Sequence, residues 1–294
     1  MSSALDGARE RTTVLTLQQK KARGERISIL AAYDFPTARL LDAAGIDAIL
    51  VGDSLAMVVL GHETTLAATM DEMLHHARAV ARGARRALLV GDMPFLSYQA
   101  DPAEAVRNAG RFLKEGGMDA VKLEGGRDVE EAVRRIVRAG IPVMGHLGLQ
   151  PQSVRRLGGF RVQGRTAAAA LSLLDDARTL EDAGCFALVL ESVPARVAEA
   201  ITARVRIPTI GIGAGAGTDG QVLVLHDLVG LTDQPPRFAP RYADLGSAIG
   251  RAAAAFRRDV ETGGFPGPEH SFTMPDDEWA AFSAALVPVG NRPR

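Results

Sequence analysis

The chain has 294 residues, a formal net charge of −1 at pH 7 and an isoelectric point of about 6.6. Apolar residues make up 47% of it and charged residues 23%, a balance that excludes a globally disordered chain. Without an excess of basic residues, nucleic acid is not an expected partner.

The sequence carries no evident targeting signal. Residues 1–12 are polar and charged without the apolar centre of a secretory signal. No stretch reaches the ~20 uninterrupted apolar residues of a membrane span. The single cysteine, Cys185, lies in an apolar run and cannot form an internal disulfide, which suits a reducing compartment. We therefore expect a cytoplasmic protein without membrane contact, in which Cys185 is buried.

Short apolar runs recur along the chain, and stretches with a helical amphipathic pattern follow them. This alternation is typical of parallel strands joined by crossover helices. The eight runs are 27–33, 48–51, 87–90, 120–123, 141–144, 187–190, 207–212 and 222–225. Their nearly continuous Val, Ile, Leu and Ala content fits strands covered on both faces. The pattern predicts a single (β/α)8 TIM barrel over residues 13–272, with residues 1–12 and 273–294 as polar tails that can be flexible.

Three segments depart from this repeat. Residues 213–221, between the seventh and eighth runs, leave no room for a full crossover helix, so an open seven-stranded sheet is the structural alternative. Residues 150–165 form a loop rich in Gly and Arg, of the kind that serves as a lid or substrate loop. From residue 243 we expect an extra helix through about Glu261 and then an arm, with residues 276–294 partly disordered.

The residues that follow each run are the informative ones, because active sites of such barrels lie at the carboxyl ends of the strands. Ionisable groups follow seven of the runs: Asp34, Asp53, Asp92, Lys122, Glu124, His146, Glu191, His226 and Asp227. A carboxylate in this position can also cap the next helix. Asp34, which precedes Phe35-Pro36, fits a helix cap best, and we assign it no catalytic or metal-binding role.

A metal site is predicted from Asp53, Asp92 and Glu124, which follow three neighbouring strands. Three oxygen ligands, with room for water and a bidentate substrate, suit a hard octahedral cation such as Mg²⁺. Zinc is disfavoured because no Cys/His cluster accompanies these carboxylates, although His146 and His226 could ligate a softer metal.

Lys122 and Glu191 are the other two residues with predicted roles. Lys122 is two positions from Glu124, so both side chains point into the barrel, where Lys122 can anchor a substrate carboxylate; a Schiff-base lysine is the alternative. Glu191 follows an apolar run, so burial should raise the pKa of its carboxyl group. We predict that Glu191 is a general base for a proton α to a carbonyl, and a helix cap or a paired structural carboxylate is the alternative.

Several long segments keep their order and spacing relative to a known family. They are AYD (32–34), VGDS (51–54), VKLEGG (121–126), GHLGLQPQS (145–153), GGFRVQG (158–164), IGIGAG (210–215), DGQ (219–221) and HD (226–227). With them the chain resembles the ketopantoate hydroxymethyltransferase family over about residues 15–272. The resemblance implies a barrel of the phosphoenolpyruvate/pyruvate type. It also implies transfer of a hydroxymethyl group from 5,10-methylenetetrahydrofolate to 3-methyl-2-oxobutanoate, in the pathway to pantothenate and coenzyme A.

The same resemblance implies roles for individual residues. The oxoacid contacts it implies are Asp53, Ser54, Asp92 and Lys122. The residues it places at the Mg²⁺ site are Asp53, Asp92 and Glu124, and the proton acceptor is Glu191. His146 is expected near the site without an assigned role. A homo-oligomer, often a decamer, is the expected assembly.

Other functions remain open from the sequence. A related barrel lyase would carry a Lys-Lys-Cys-Gly-His loop, which is not found, and an inactive scaffold would lack a metal carboxylate or the base. Residues 211–215 resemble a phosphate cradle but lack the helix and acidic residue of a nucleotide fingerprint. The arginines of the 150–165 loop are Arg155, Arg156, Arg161 and Arg165. They could meet the glutamate tail of a folate or remain solvated.

Overall fold

The computed structural model describes residues 10–286, and within them eight parallel strands close into a barrel. Each strand pairs with the next along the chain, and the eighth pairs with the first. The strands are β1 Ile27–Ala31, β2 Ala48–Val51, β3 Leu88–Asp92, β4 Ala120–Glu124, β5 Val143–Gly148, β6 Ala187–Glu191, β7 Thr209–Ile212 and β8 Gly220–Val224. The predicted (β/α)8 barrel is confirmed, and the open seven-stranded alternative is wrong.

Twelve α-helices are present within residues 10–286. They are α1 Val14–Ala22, α2 Phe35–Ala44, α3 Leu55–Val58, α4 Met70–Gly83, α5 Pro102–Lys114, α6 Glu130–Arg138, α7 Val154–Leu157, α8 Ala167–Ala183, α9 Ala195–Thr202, α10 Leu225–Leu228, α11 Leu245–Thr262 and α12 Asp276–Ala285. Short 3-10 turns lie at Thr65–Ala67, Arg127–Val129, Pro151–Ser153 and Pro268–His270. None of these helices is long and apolar enough to cross a membrane.

Close packing of helices on the strands explains why the strand residues are apolar on both faces. Every residue of β2 to β5 is buried, as expected for strands with side chains both inside the barrel and under the helices. Gly91 of β3 illustrates the fit, because the ring of Phe112 from α5 fills the place of a Cβ there. Cys185 is buried and free, as predicted.

Side-chain caps define the starts of α2 and α4, and the first of these caps was predicted from the sequence. The Asp34 carboxylate accepts a hydrogen bond from the Thr37 N–H at 2.8 Å, so it caps α2 as expected. Thr69 and Glu72 form a reciprocal capping box at the start of α4.

The connection from β7 to β8 contains no helix. Residues 213–219 make the passage, with Gly213 and Gly215 at φ of 62° and 80°, a conformation that favours glycine. Gln221 supports it by donating hydrogen bonds to the Gly215 carbonyl at 3.0 Å and to Thr218 Oγ1 at 2.9 Å. The short spacing in the sequence therefore reflects a shortened connection and not a missing strand.

The chain divides into two compact units between residues 243 and 244. The first contains the barrel, and the second contains α11 and α12. The predicted domain of 13–272 extends into the second unit, and its bounds stay a prediction. Partial disorder was expected from residue 276, whereas Asp276–Ala285 form α12, whose acidic first turn suits the helix dipole. Residues 1–9 and 287–294 of the predicted tails lie outside the described part of the chain.

Candidate active site

The predicted site residues meet at the mouth of the barrel formed by the carboxyl ends of the strands. Buried there, each with at most 4% of its surface exposed, are Asp53, Asp92, Lys122, Glu124 and His146. The Glu191 side chain, at the end of β6, is 15% exposed. The strand register places Asp92 beside Lys122 and Glu124 beside His146, so residues that are distant in sequence become neighbours in space.

Lys122 is the cation of this cluster. Its Nζ lies 2.8 Å from Asp92 Oδ1 and 3.2 Å from His146 Nδ1. Burial alone lowers the pKa of this ammonium group, but Asp92, Glu124 and Asp53 together raise it above its ordinary value. A lysine held protonated in this way is a poor nucleophile, which speaks against the Schiff-base alternative.

The carboxyl groups of Asp53 and Glu124 both have a raised pKa. Burial and the neighbouring Asp92 raise the pKa of Asp53 to about 7. Burial and the Asp53 carboxylate raise the pKa of Glu124 well above its ordinary range. The backbone N–H of Asp53 donates to Asp92 Oδ2 at 3.1 Å, and Glu124 Oε1 is buried without a hydrogen-bond partner. The cluster therefore holds more acid than the one Lys122 ammonium can neutralise.

His146 lies between Lys122 and Glu191. The Lys122 ammonium can only donate, so Nδ1 of the imidazole is the acceptor and the ring proton is on Nε2. Nε2 lies 3.2 Å from Glu191 Oε2, although the two are not aligned as a hydrogen bond. Burial and the Lys122 charge lower the pKa of His146 well below its ordinary value. The histidine is thus a neutral spacer with its N–H directed to the Glu191 side.

Glu191 has the properties expected of a base of moderate strength. Burial raises the pKa of its carboxyl group to about 7, against a smaller opposite effect of Lys122. Glu191 does not cap α9, because Pro194 occupies the cap position. The helix-cap alternative is therefore excluded by the structure.

Three polar residues at the mouth were not identified from the sequence. Tyr33 is buried, and its hydroxyl bonds to Ser54 Oγ at 2.8 Å. Gln152 is 5% exposed and donates from Nε2 to Asp53 Oδ2 at 2.9 Å. The Tyr98 hydroxyl donates to Gln152 Oε1 at 2.8 Å. Tyr33 and Gln152 lie in segments that carried the family resemblance, but neither is ionisable at neutral pH. Tyr98 had no sequence signal.

Residues of the outer rim are placed less centrally. The ring of His226 lies 5.4 Å from that of Tyr33, and burial lowers the pKa of this histidine. The four arginines of the 150–165 loop are all exposed. The loop is held next to Glu191 by Gln163, whose N–H donates to the carbonyl of the following residue, Ser192, at 3.0 Å. Contact of these arginines with a folate stays a prediction.

Several solved structures share this barrel fold at low sequence identity. A 2,3-dimethylmalate lyase, described as a member of the PEP mutase/isocitrate lyase superfamily, has a TM-score of 0.57 at 16% identity, covering 94% of this chain and 99% of that one. A phosphoenolpyruvate phosphomutase from Streptomyces platensis subsp. rosaceus has a TM-score of 0.57 at 15% identity, covering 92% and 95%. These likenesses show the same (β/α)8 barrel fold.

Curated relatives are similar over nearly their whole length. A 3-methyl-2-oxobutanoate hydroxymethyltransferase from Nitratidesulfovibrio vulgaris (strain DP4) is 57% identical over 279 residues, 94% of this chain and 91% of that protein. The enzyme of the same name from Chloroflexus aggregans is 58% identical over 272 residues, 92% and 97% of the two chains. The family model for ketopantoate hydroxymethyltransferase matches residues 11–268. The chain belongs to the ketopantoate hydroxymethyltransferase family.

Proposed function

We propose that this hydroxymethyltransferase moves a one-carbon unit from 5,10-methylenetetrahydrofolate to C3 of 3-methyl-2-oxobutanoate, giving 2-dehydropantoate for pantothenate and coenzyme A. Membership of the family supports the reaction class. The observation that carries the proposal is Glu191, a carboxyl group with a pKa of about 7, at the mouth that holds the acidic cluster. A homo-oligomer, decameric by family resemblance, and a cytoplasmic location belong to the same proposal.

Mg²⁺ is the cation that fits this cluster. Within residues 10–286, no group of three or more His, Cys, Asp or Glu side chains is arranged so that it could hold a metal ion. Mg²⁺ does not require one, because it is usually bound through one or two carboxylates, with substrate and water as the other ligands. Asp53 and Asp92 would be those carboxylates. Glu124, whose Oε1 has no hydrogen-bond partner, would add its negative charge beside them from the next strand.

The acidic character of the cluster supports this assignment. Carboxylates that raise one another's pKa favour either protons or a cation, and a hard oxygen donor set selects Mg²⁺ over softer metals. When bound, Mg²⁺ supplies Lewis acidity that polarises the 2-oxo group and makes the C3 proton more acidic.

The substrate carboxylate would be held by Lys122 and Ser54. The Lys122 ammonium stays charged at neutral pH because three carboxylates surround it. Ser54 is at the start of α3, and its hydroxyl is oriented by the bond to Tyr33. A cation and a directed hydroxyl together fix both the position and the orientation of an oxoacid, which places C3 for proton removal.

Glu191 would then take the C3 proton. The proton would move to the Glu191 carboxylate, the electron pair of the C–H bond would be delocalised onto the 2-oxo oxygen, and C3 would form the new bond to the methylene carbon of the folate. Both carbon–nitrogen bonds of that methylene group break, water supplies the oxygen of the new hydroxymethyl group, and tetrahydrofolate leaves with one proton from C3 and one from water on its two nitrogens. A base with a pKa near 7 is half ionised at neutral pH, close to the optimum for general base catalysis. His146 lies between Glu191 and the Lys122 ammonium, so the Glu191 carboxylate does not form a direct ion pair with Lys122 and remains available as a base.

The test follows exchange of the C3 proton for deuterium by NMR, without folate and with or without Mg²⁺. We expect Mg²⁺-dependent exchange by the wild type, and a roughly 10²- to 10⁴-fold slower rate in Glu191→Gln, because the variant has no base. Glu131→Gln is the matched control, since that carboxylate is 58% exposed and pairs with Arg135 on α6. Wild-type protein that neither exchanges C3 nor forms product with folate would refute the proposal.

A further inference from the structure

Gln152 makes the largest number of side-chain hydrogen bonds among the residues described at the mouth. It lies in the Pro151–Ser153 turn after β5 and is 5% exposed. Its Nε2 donates to Asp53 Oδ2 at 2.9 Å and to the Met93 carbonyl at 3.0 Å. Its Oε1 accepts from the Tyr98 hydroxyl at 2.8 Å and from Gln99 Nε2 at 3.0 Å. Both N–H groups and both oxygen lone pairs of the amide are therefore used.

This pattern fixes the orientation of the amide. If its nitrogen and oxygen were exchanged, the oxygen would face a carboxylate and a carbonyl, which are both acceptors. The nitrogen would face the amide of Gln99, which donates in the observed arrangement. Gln152 can consequently present only a donor to Asp53, and it does so from a residue 99 positions away in the sequence.

The backbone of Gln152 holds a second carboxylate. Its N–H donates to Glu124 Oε2 at 3.0 Å, while the other oxygen, Oε1, is buried without a hydrogen-bond partner. Tyr98 completes the link, because its hydroxyl oxygen accepts from the Glu124 N–H at 3.0 Å. One residue thus connects the carboxylates that follow β2 and end β4, and it leaves one oxygen of Glu124 available.

We propose that Gln152 is a positioning residue, which holds Asp53 and Glu124 in the arrangement that binds the divalent cation. The inference rests on the proposed function, because it assumes the metal site described there. Two buried carboxylates repel one another. Two donors of one residue, the side-chain amide on Asp53 and the backbone N–H on Glu124, offset part of that repulsion before any cation arrives. Residues that orient the ligands of a metal in this way typically contribute about 10- to 100-fold to its affinity.

The experiment measures Mn²⁺ binding to the substrate-free protein by EPR titration, so that the readout does not depend on activity. Gln152→Ala removes the side-chain amide and leaves the backbone N–H on Glu124, and Gln152→Met removes the side-chain hydrogen bonds while keeping most of the volume. We expect both variants to raise the Kd for Mn²⁺ by roughly 10- to 100-fold. Gln150→Ala is the matched control: that amide oxygen accepts weakly from Ser153 and Arg156 within the same loop, and the Kd should keep its wild-type value.

Each variant is also unfolded in urea with EDTA present, to separate loss of stability from loss of cation affinity. Folded Gln152 variants with the wild-type Kd would overturn the inference, even if they unfold more easily, because the residue would then be merely structural. If Gln152→Ala does not fold, Gln152→Met decides. A wild-type protein that binds no Mn²⁺ would remove the proposed metal site and this inference together, whereas binding by all variants alike removes the inference alone.

Discussion

The two ends of the barrel use carboxylates in opposite ways. At the amino-terminal end, an aspartate just before a strand accepts a hydrogen bond from a backbone N–H at the start of the preceding strand in the barrel. The pairs are Asp47 with Ser28 at 2.9 Å, Asp119 with Leu89 at 3.0 Å and Asp219 with Thr209 at 2.8 Å. Lysines of α1 pair with two of them, Lys20 with Asp47 at 2.6 Å and Lys21 with Asp219 at 2.8 Å. Every one of these carboxylates has a partner.

At the mouth, the carboxylates outnumber their partners. Asp53, Glu124 and Glu191 all have a raised pKa, mainly because they are buried, and Lys122 supplies a single positive charge beside them. Carboxylates of this kind cost stability when they are ionised. The amino-terminal end thus uses acids to join strands, whereas the mouth keeps buried acids in excess of its lysine, which the proposed metal site would explain.

The largest expected effect that tests this difference is the pH dependence of C3 exchange. Burial raises the pKa of Glu191 from 4.5 to about 7, so below about 7 the base is protonated and inactive. The exchange rate at saturating Mg²⁺ should fall roughly tenfold for each pH unit below 7 and level off above it. A profile that is flat between about pH 5 and pH 8 would contradict the assignment of Glu191 as base.

The contribution of Glu191 to stability falls as pH rises, whereas its contribution to exchange increases. Between 4.5 and about 7 the native Glu191 keeps a proton that the unfolded chain has lost. Its contribution to stability is therefore complete below 4.5 and is lost as pH rises through 7. Glu191→Gln should remove this part of the pH dependence in urea unfolding, which gives a control that is independent of catalysis.

A smaller effect is expected from two substitutions of His146 that separate its two nitrogens. Glutamine places its amide nitrogen near the position of Nε2 and keeps a donor on the Glu191 side, whereas asparagine is too short to reach it. His146→Asn should slow exchange by up to about tenfold and His146→Gln by less, because only asparagine removes the N–H that lies 3.2 Å from Glu191 Oε2, a contact weaker than an aligned hydrogen bond. The midpoint of the pH–rate profile should rise in His146→Asn, because the Glu191 carboxylate loses a nearby N–H.

Nitrogen NMR of labelled histidine supplies the control for this pair of variants. In the wild type, Nδ1 of His146 should be unprotonated and Nε2 protonated, as the bond from Lys122 requires. The opposite tautomer, or equal exchange rates in the two variants, would show that the histidine does not act on Glu191.

The smallest effect on catalysis is expected at the opposite end of the barrel. Asp219→Ala removes the pair with Lys21 and the bond to the Thr209 N–H, so it should lower the free energy of unfolding by about 1–3 kcal/mol while C3 exchange stays at the wild-type rate. Asp71→Ala is the control, because that carboxylate is 86% exposed and its loss should change stability by about 0.5 kcal/mol or less. A large loss of exchange in Asp219→Ala would show that the carboxylates at the amino-terminal end also affect the chemistry at the mouth.

Much of the site could be predicted from where the strands end. Asp92, Glu124 and Glu191 are the last residues of their strands, so a pattern of apolar runs and one rule of barrel architecture placed them at one mouth. The roles of these residues in metal binding and proton transfer stay predictions that the experiments above test. The shortened connection of residues 213–219 was ambiguous, because seven residues without a helix are compatible with either seven or eight strands.

Residues outside the strand ends were missed for a physical reason. Gln152, in the turn after β5, reaches Asp53, after β2, only because the closed barrel brings the carboxyl ends of these strands to one mouth, and neither residue type nor spacing indicates that contact. Tyr98 lies on the loop after β3, and its hydroxyl contacts Glu124 at the end of the neighbouring strand β4. Neutral amides and phenols have no charge to mark them, so only the assembled structure shows that they hold the carboxylates.

The sequence by itself determined the barrel, the helix caps, the buried cysteine and the acids at the strand ends, because these depend on local periodicity and on the order of elements. The tertiary structure decided which of those acids are paired and which are left in surplus. It also decided that His146 stands between Lys122 and Glu191, since β4, β5 and β6 are aligned by their register. Charge balance in a buried cluster depends on distances of a few ångströms across strands, and no separation along the chain encodes those distances.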